Sequence, residues 1–327
     1  MLVPGRSFAA GRPGRVFLGR VRAVPSRVTR TSGAIVEGAS VEVDEVIDEV
    51  LSAEQADADS VEDEAAAGDD QADEIAETEA CGPLDDVSLG EQVGEDSEAA
   101  GSLAAAAGSL VTVAKLDAVP LFFARGVAAR PQSFSIEPGF RDVLVQTIRS
   151  VRARTPASFG DLVRITTAGA FVDKPGMHGL GRAFDHDAWT FEHVDIRPIR
   201  HDHVAESRAR RQRYWALAAI MRSHSAFVLH GHFNADHEDH IHQDNGGSRP
   251  FTTSSPATVK LVQAVCNHIY GESPALEIDG GFGELSAGAV RRAMIKAGLA
   301  GDVFDPAQWR RFLRRSGRLG FRLSMHG

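Results

Sequence analysis

Charge divides this chain before any motif does. Residues 1–30 hold seven arginines and no acid, whereas residues 31–107 hold 24 Asp and Glu and no Lys or Arg. The acidic block is mostly Ala, Glu, Asp, Gly and Ser. Such a segment buries too little apolar surface to offset its ordering entropy, so disorder is expected across 1–109. Within it, only Val41 to Leu51 has the apolar spacing of a short transient helix. Whatever folds must come from the remaining 220 residues, which carry 28 Lys and Arg against 21 acids. The 327 residues average to a net charge of −10, a figure that describes neither part.

The two cysteines, Cys81 and Cys266, fall on either side of that division, so no disulfide is expected. No apolar run reaches the length of a membrane span. The Arg-rich start resembles a transit peptide in composition, but a solvated basic arm explains it as well, and no clean secretory signal is evident.

From Leu110 onward the patterning is that of an ordered α+β protein. Leu110 to Lys115, Val119 to Phe123, Leu162 to Thr167, Val194 to Pro198 and Ala226 to Leu229 read as strands. Pro138 to Arg154 and Ala205 to Ser223 have the spacing of amphipathic helices, the second burying Trp215, Leu217, Ile220 and Met221. A polar linker at Thr252 to Ser255 precedes helices at Pro256 to Tyr270, Ser286 to Ala297 and from the Asp305-Pro306 cap pair to Arg314. The domain reading is therefore a segment 110–251 and a helical module 252–327.

Two stretches of 110–251 concentrate metal-binding side chains. One is His178-Gly-Leu-Gly-Arg-Ala-Phe-Asp185, of the form H-x-x-G-x-A-x-D. The other is His237-Glu-Asp-His-Ile-His242, of the form H-x-D-H-x-H. Mixed His and carboxylate donors suit catalytic rather than structural zinc. Gly179 and Gly181 let the backbone bend so that His178 and Asp185 converge. In an extended chain His240 and His242 share a face, so one can bind metal while the other reaches a cleft. Asp239 stands close enough to exchange a proton with a metal-activated water. His193, His201, His203 and His224 read as surface residues. His230 and His232 are near enough in sequence to line the cleft. Asp187 and Asp244 read as supports for the ligands.

Together the two motifs resemble the zinc D-Ala-D-Ala metallopeptidase and hedgehog-type superfamily, and within it the bacterial extensin-like C-terminal domain, over roughly 110–247. The likeness includes Phe227-Val-Leu, the run from His232 to Asp244 and the Arg213-Tyr-Trp helix. It implies a small antiparallel sheet with helices and one Zn2+ held by His178, Asp185 and His242. It further implies Asp239 as general base, with His237 and His240 stabilising the oxyanion. Relatives place an arginine in the loop before the first histidine; in this chain that loop holds only Lys174, so Lys174 or Arg182 is the candidate substrate cation.

Val259-Lys-Leu-Val-Gln263 followed by Asp279-Gly-Gly-Phe-Gly and Ser286-Ala-Gly-Ala-Val290 resembles a peptidoglycan-binding module. Asp279-Gly280 is expected to form a tight turn, Phe282 to plug a small core and Ser286 to cap the next helix. Both resemblances imply a monomeric zinc peptidase of D,D-carboxypeptidase or endopeptidase type. It would cut peptidoglycan stem peptides at the cell envelope or outside the cell, its export route undefined. Two alternatives stay open: a non-catalytic wall-binding protein, and a phage-derived endolysin. Nucleic acid is not an expected partner, since the arginines lack a helix-turn-helix signature or an interleaved aromatic platform.

Overall fold

A computed structural model describes residues 110–126, 128–246 and 249–326. The basic arm, the acidic block, the Val41–Leu51 segment and Cys81 lie outside them. The strands are β1 (Val111–Val113), β2 (Lys115–Leu116), β3 (Val119–Phe123), β4 (Arg130–Pro131), β5 (Phe134–Ile136), β6 (Leu162–Gly169), β7 (Ala183–Phe191), β8 (Asp195–Ile196), β9 (Ser225–Leu229) and β10 (Ile241–Gly246). The helices are α1 (Pro138–Arg152), α2 (Arg208–Arg222), α3 (Pro256–His268), α4 (Glu284–Lys296) and α5 (Pro306–Leu323). None of the described helices is long and apolar enough to cross a membrane.

The α+β class holds, but the sheet is neither small nor purely antiparallel. Eight strands run in the order β2-β3-β6-β7-β10-β9, with β4 on β3 and β8 on β7, while β1 and β5 form a separate ribbon. β3 and β6 are parallel. Parallel neighbours need a long crossover connection, and the intervening stretch contains α1. Several strands are two residues long, below what periodicity in a sequence can reveal. β7, nine residues long, has a burial pattern close to continuous rather than alternating, so it carries no strand signature either.

Helix α2 lies at the centre. Every residue from Tyr214 to Arg222 is buried, which fits a helix covered on several sides. It packs on β9 and also on α3 and α5. The α2–α5 approach depends on two glycines. A Cβ at Gly317 would lie 2.4 Å from Ile220 Cγ1, and one at Gly320 would lie 2.9 Å from Ala216 Cβ. One apolar core consequently runs from Leu121 and Trp189 in the sheet through Trp215 and Ile220 to Trp309 and Phe312.

Helix ends follow ordinary capping chemistry. Glu137 accepts from the first-turn amides of α1, and Asp305 does the same for α5. The Asp305-Pro306 start is as expected, but α5 continues to Leu323. Ser286 does not cap α4, whose N-cap is Gly283. It lies inside the helix, donating to the Gly281 carbonyl at 3.1 Å. The organiser of the Asp279-Gly280 turn is the buried Gln263, whose amide reaches Asp279 Oδ1 at 2.8 Å, the Gly281 carbonyl at 2.9 Å and the Gly280 amide at 3.1 Å. Phe282 is half-buried against Phe251 and Phe304. Cys266 is a buried free thiol.

Candidate metal centre

Strand register sets two of the three candidate ligands. In the antiparallel β7–β10 pair, His242 is directly opposite Asp185. Opposed residues share a face with their Cβ atoms ~5 Å apart. His242 Nδ1 lies 2.9 Å from Asp185 Oδ1. The third ligand comes from the loop before β7, where His178 Nε2 approaches Asp185 Oδ2 at 3.2 Å. Donor atoms of His178, Asp185 and His242 all lie within 4.8 Å of one another, so the group can hold a metal ion.

That loop is shaped by its glycines. The Gly179 amide donates to the Gly176 carbonyl and the Gly181 amide to the His178 carbonyl, each at 3.0 Å. A Cβ at Gly179 would lie 1.8 Å from the Lys174 carbonyl oxygen. Gly181 has φ +68° and meets Leu110 and the Glu137 amide, a position closed to other residues.

The far nitrogen of each histidine is anchored. His178 Nδ1 contacts the Ala170 carbonyl at 2.5 Å, leaving Nε2 for a metal. His242 Nε2 pairs with Asp244 at 3.1 Å, leaving Nδ1. Support of a ring from its outer nitrogen is the usual arrangement behind a metal-bound histidine. Burial opposes ionisation of Asp185, but hydrogen bonds from His178 and His242 outweigh it and hold the carboxyl well below its ordinary value. Burial likewise disfavours protonated His242, yet the carboxylates at both its nitrogens raise it to about 9.

On the other face of the same strands lies a fixed polar network. Trp189 Nε1 donates to His186 Nδ1 at 3.2 Å, so His186 donates from Nε2 to Gln243 Oε1 at 3.0 Å. The Gln243 amide then reaches Thr147 and Ser225. Burial drives His186 down to about 3, so the ring is neutral. This network ties β7 to β10 and to α1 directly beneath the cleft residues.

Asp239 stands beside the metal group through His240. His240 Nδ1 is 2.9 Å from Asp239 Oδ1, and its Nε2 is 3.6 Å from Asp185 Oδ1. A cation that sequence reasoning missed joins this cluster. Arg125, just after β3, reaches Asp187 at 2.6 and 3.0 Å and Asp239 at 3.2 Å, with a second, shorter contact to Asp239. Burial works against its charge, but the hydrogen bonds to both carboxylates keep it fully protonated. Asp239 is held below its ordinary value, the Arg125 and His240 bonds outweighing partial burial. Asp187 is pushed up by burial and pulled back by Arg125, and it remains above its ordinary value.

Lys174 and Arg182 are exposed, and no hydrogen bond or ion pair joins either to this cluster. The signal for Arg125 was indirect. Asp185 and Asp187 alternate onto one face of β7, and a buried acid such as Asp187 requires a cation.

His237 is 4% exposed and packs its ring 5.1 Å from His240 and 5.8 Å from His242. Burial lowers it to about 3, and its Nδ1 contacts Asn234 Oδ1. His230 and His232 do not line the cleft. His230 donates to the Ala257 carbonyl at 3.0 Å, and His232 stacks on Trp215 at 5.3 Å. His203 is buried against Tyr214 and His232, not on the surface, because Gly231 leaves room for its ring. His193 and His201 are exposed and His224 is half-buried.

No family model, curated protein or solved structure matches the chain.

Proposed function

We propose that the chain is a zinc-dependent peptidase acting on peptidoglycan stem peptides. The observation that carries this reading is the juxtaposition of a two-histidine, one-aspartate group with an ionised acid, Asp239, linked to it by His240. The donor set is mixed and hard enough for zinc, and each histidine has outer support. Zinc bound there would supply Lewis-acid polarisation of a peptide carbonyl and a water of lowered pKa.

The chain's own residues supply the rest. Asp239 takes the proton of the attacking water and returns it to the leaving amine. Arg125 orients that carboxylate, and Asp187 fixes Arg125 from behind. Arg125 supplies positive charge beside the metal group, where charge develops on the substrate oxygen, and His240 bridges Asp239 to Asp185. His237 is neutral and gives its Nδ1 proton to Asn234 Oδ1, leaving Nε2 without one, which suits a wall of the site better than an oxyanion donor. The substrate class rests on the likeness of 252–327 to a wall-binding module. The best support for a non-catalytic wall-binding protein is the loop before His178, which holds only Lys174; a guanidinium beside Asp239, from Arg125, favours the peptidase reading instead.

The test is release of peptides from purified peptidoglycan by the zinc-loaded chain, read by mass spectrometry. His178→Ala and Asp239→Ala are expected to lower release by about 100-fold or more, the first by removing a metal ligand and the second by removing the general base. Equal release by wild type and both variants, with wall binding retained, sinks the peptidase reading.

A further inference from the structure

A cavity of about 310 Å3 opens where the end of α2 and β9 meet the start of α3. Its polar lining is Arg222, Arg249, Thr252, Ser254, Ser255 and Thr258, with no acid. None of these belongs to the metal group, so the cavity is independent of the peptidase reading.

Arg222 is the informative residue. It is 2% exposed, and among the described residues no ion pair joins it to a carboxylate. Its Nη1 donates to the Ser225 and Arg249 carbonyls at 3.0 and 3.2 Å. Its Nε is buried without any partner. The guanidinium lies over the Trp309 ring at 5.8 Å, which fixes its plane. A buried cation with an idle donor is costly unless something anionic compensates it.

The surroundings add positive charge. Arg249 is exposed and its guanidinium rests on Phe227 at 5.2 Å. Burial first, then repulsion from Arg249, pushes Arg222 down to about 10, against a smaller opposing pull from Asp244. Helix α3 begins at the cavity with Ser255 as its N-cap, so the positive end of a thirteen-residue helix lies there too.

We propose that this cavity binds a phosphate group, held between Arg222 and Arg249 with hydroxyls and the α3 N-terminus completing its shell. The hydroxyls are joined in two pairs, Thr252 with Ser254 at 2.8 Å and Ser255 with Thr258 at 3.0 Å, so the charge comes from the two guanidinium groups. Two cations with no acid in the lining match the double charge of a phosphate better than the single charge of a carboxylate. The volume, equal to about ten waters, admits inorganic phosphate or a small phosphate monoester.

Calorimetric titration of the full-length chain at constant ionic strength tests this, with inorganic phosphate, glycerol 3-phosphate, acetate and chloride as separate arms. Saturable one-to-one phosphate binding is expected, weakened at least about tenfold in Arg249→Ala, the loss of one charge-assisted contact, and partly restored in Arg249→Lys. Tighter binding of glycerol 3-phosphate than of the free ion identifies an ester as the ligand; the reverse order identifies the ion itself. Arg249 is exposed, so its variants test binding rather than folding. Phosphate binding that is absent, matched by acetate, or unchanged in Arg249→Ala overturns the proposal, the last because binding at the metal centre would survive that change.

Discussion

Arg125 divides its guanidinium between two carboxylates, one buried and one in the cleft. That geometry needs a planar fork, which lysine lacks. Arg125→Lys is therefore expected to lower peptide release by at least about tenfold, the cost of losing charge-assisted bonds to Asp239. Zinc content, measured by elemental analysis, should stay at the wild-type level because Arg125 touches no ligand. An unchanged rate, or a loss of zinc, shows that Arg125 does not orient Asp239. The residue also marks the limit of sequence reading. His178, Asp185, His242 and Asp239 were legible because they sit in dense motifs with fixed spacing. Arg125 lies in an undistinguished loop and reaches the cleft only because β3 is placed beside β6.

Among the elements, the loop from 170 to 181 is closely packed at two glycines, Gly179 and Gly181. Gly179 admits no side chain, since a Cβ there meets a backbone oxygen at 1.8 Å rather than a movable side chain. Gly179→Ala is expected to displace His178 and weaken zinc affinity by about tenfold or more, the scale of losing a group that orients a ligand. Gly126→Ala is the matched comparison: its φ is +66°, but nothing lies within 4 Å of the added Cβ, so only backbone strain of about 1 kcal/mol is added. Zinc competition with a chromophoric chelator reads both, and equal affinities in the two variants refute the steric account. The glycines were legible as bends. Strand β7 was not, because buried on both faces it shows no alternation. The cap expected at Ser286 fails because Gln263, a distant residue, organises that turn.

For the whole molecule, the histidines around Trp215 set a limit on acid stability. Burial lowers His230 to about 3, and lowers His203 and His268 to about 4. An unfolded histidine titrates near 6.5, so below that pH the unfolded chain binds more protons and stability falls. A fully buried imidazole such as His230 steepens the loss by at most roughly 1.4 kcal/mol per pH unit. His242 acts in the opposite sense in the metal-free chain. Its value of about 9 means that its contribution is complete below 6.5 and is lost as pH rises through 9. The metal-free protein should show a maximum in Tm near pH 6.5, falling on both sides. A Tm that is flat from pH 6.5 down to about 4.5 contradicts neutral burial of these rings. This cluster was the least legible part of the sequence, since its members come from the segment between β8 and α2, the loop after β9 and the end of α3.

The pairing of Asp185 with His242 across two strands would make a bound metal a judge of assembly. A one-residue slip between β7 and β10 turns one partner to the opposite side of the sheet, and the ion then finds no second strand to hold. Only the correctly threaded chain would bind tightly, so metal present during refolding would reward that arrangement over its neighbours. An ion held by this group would proofread the fold.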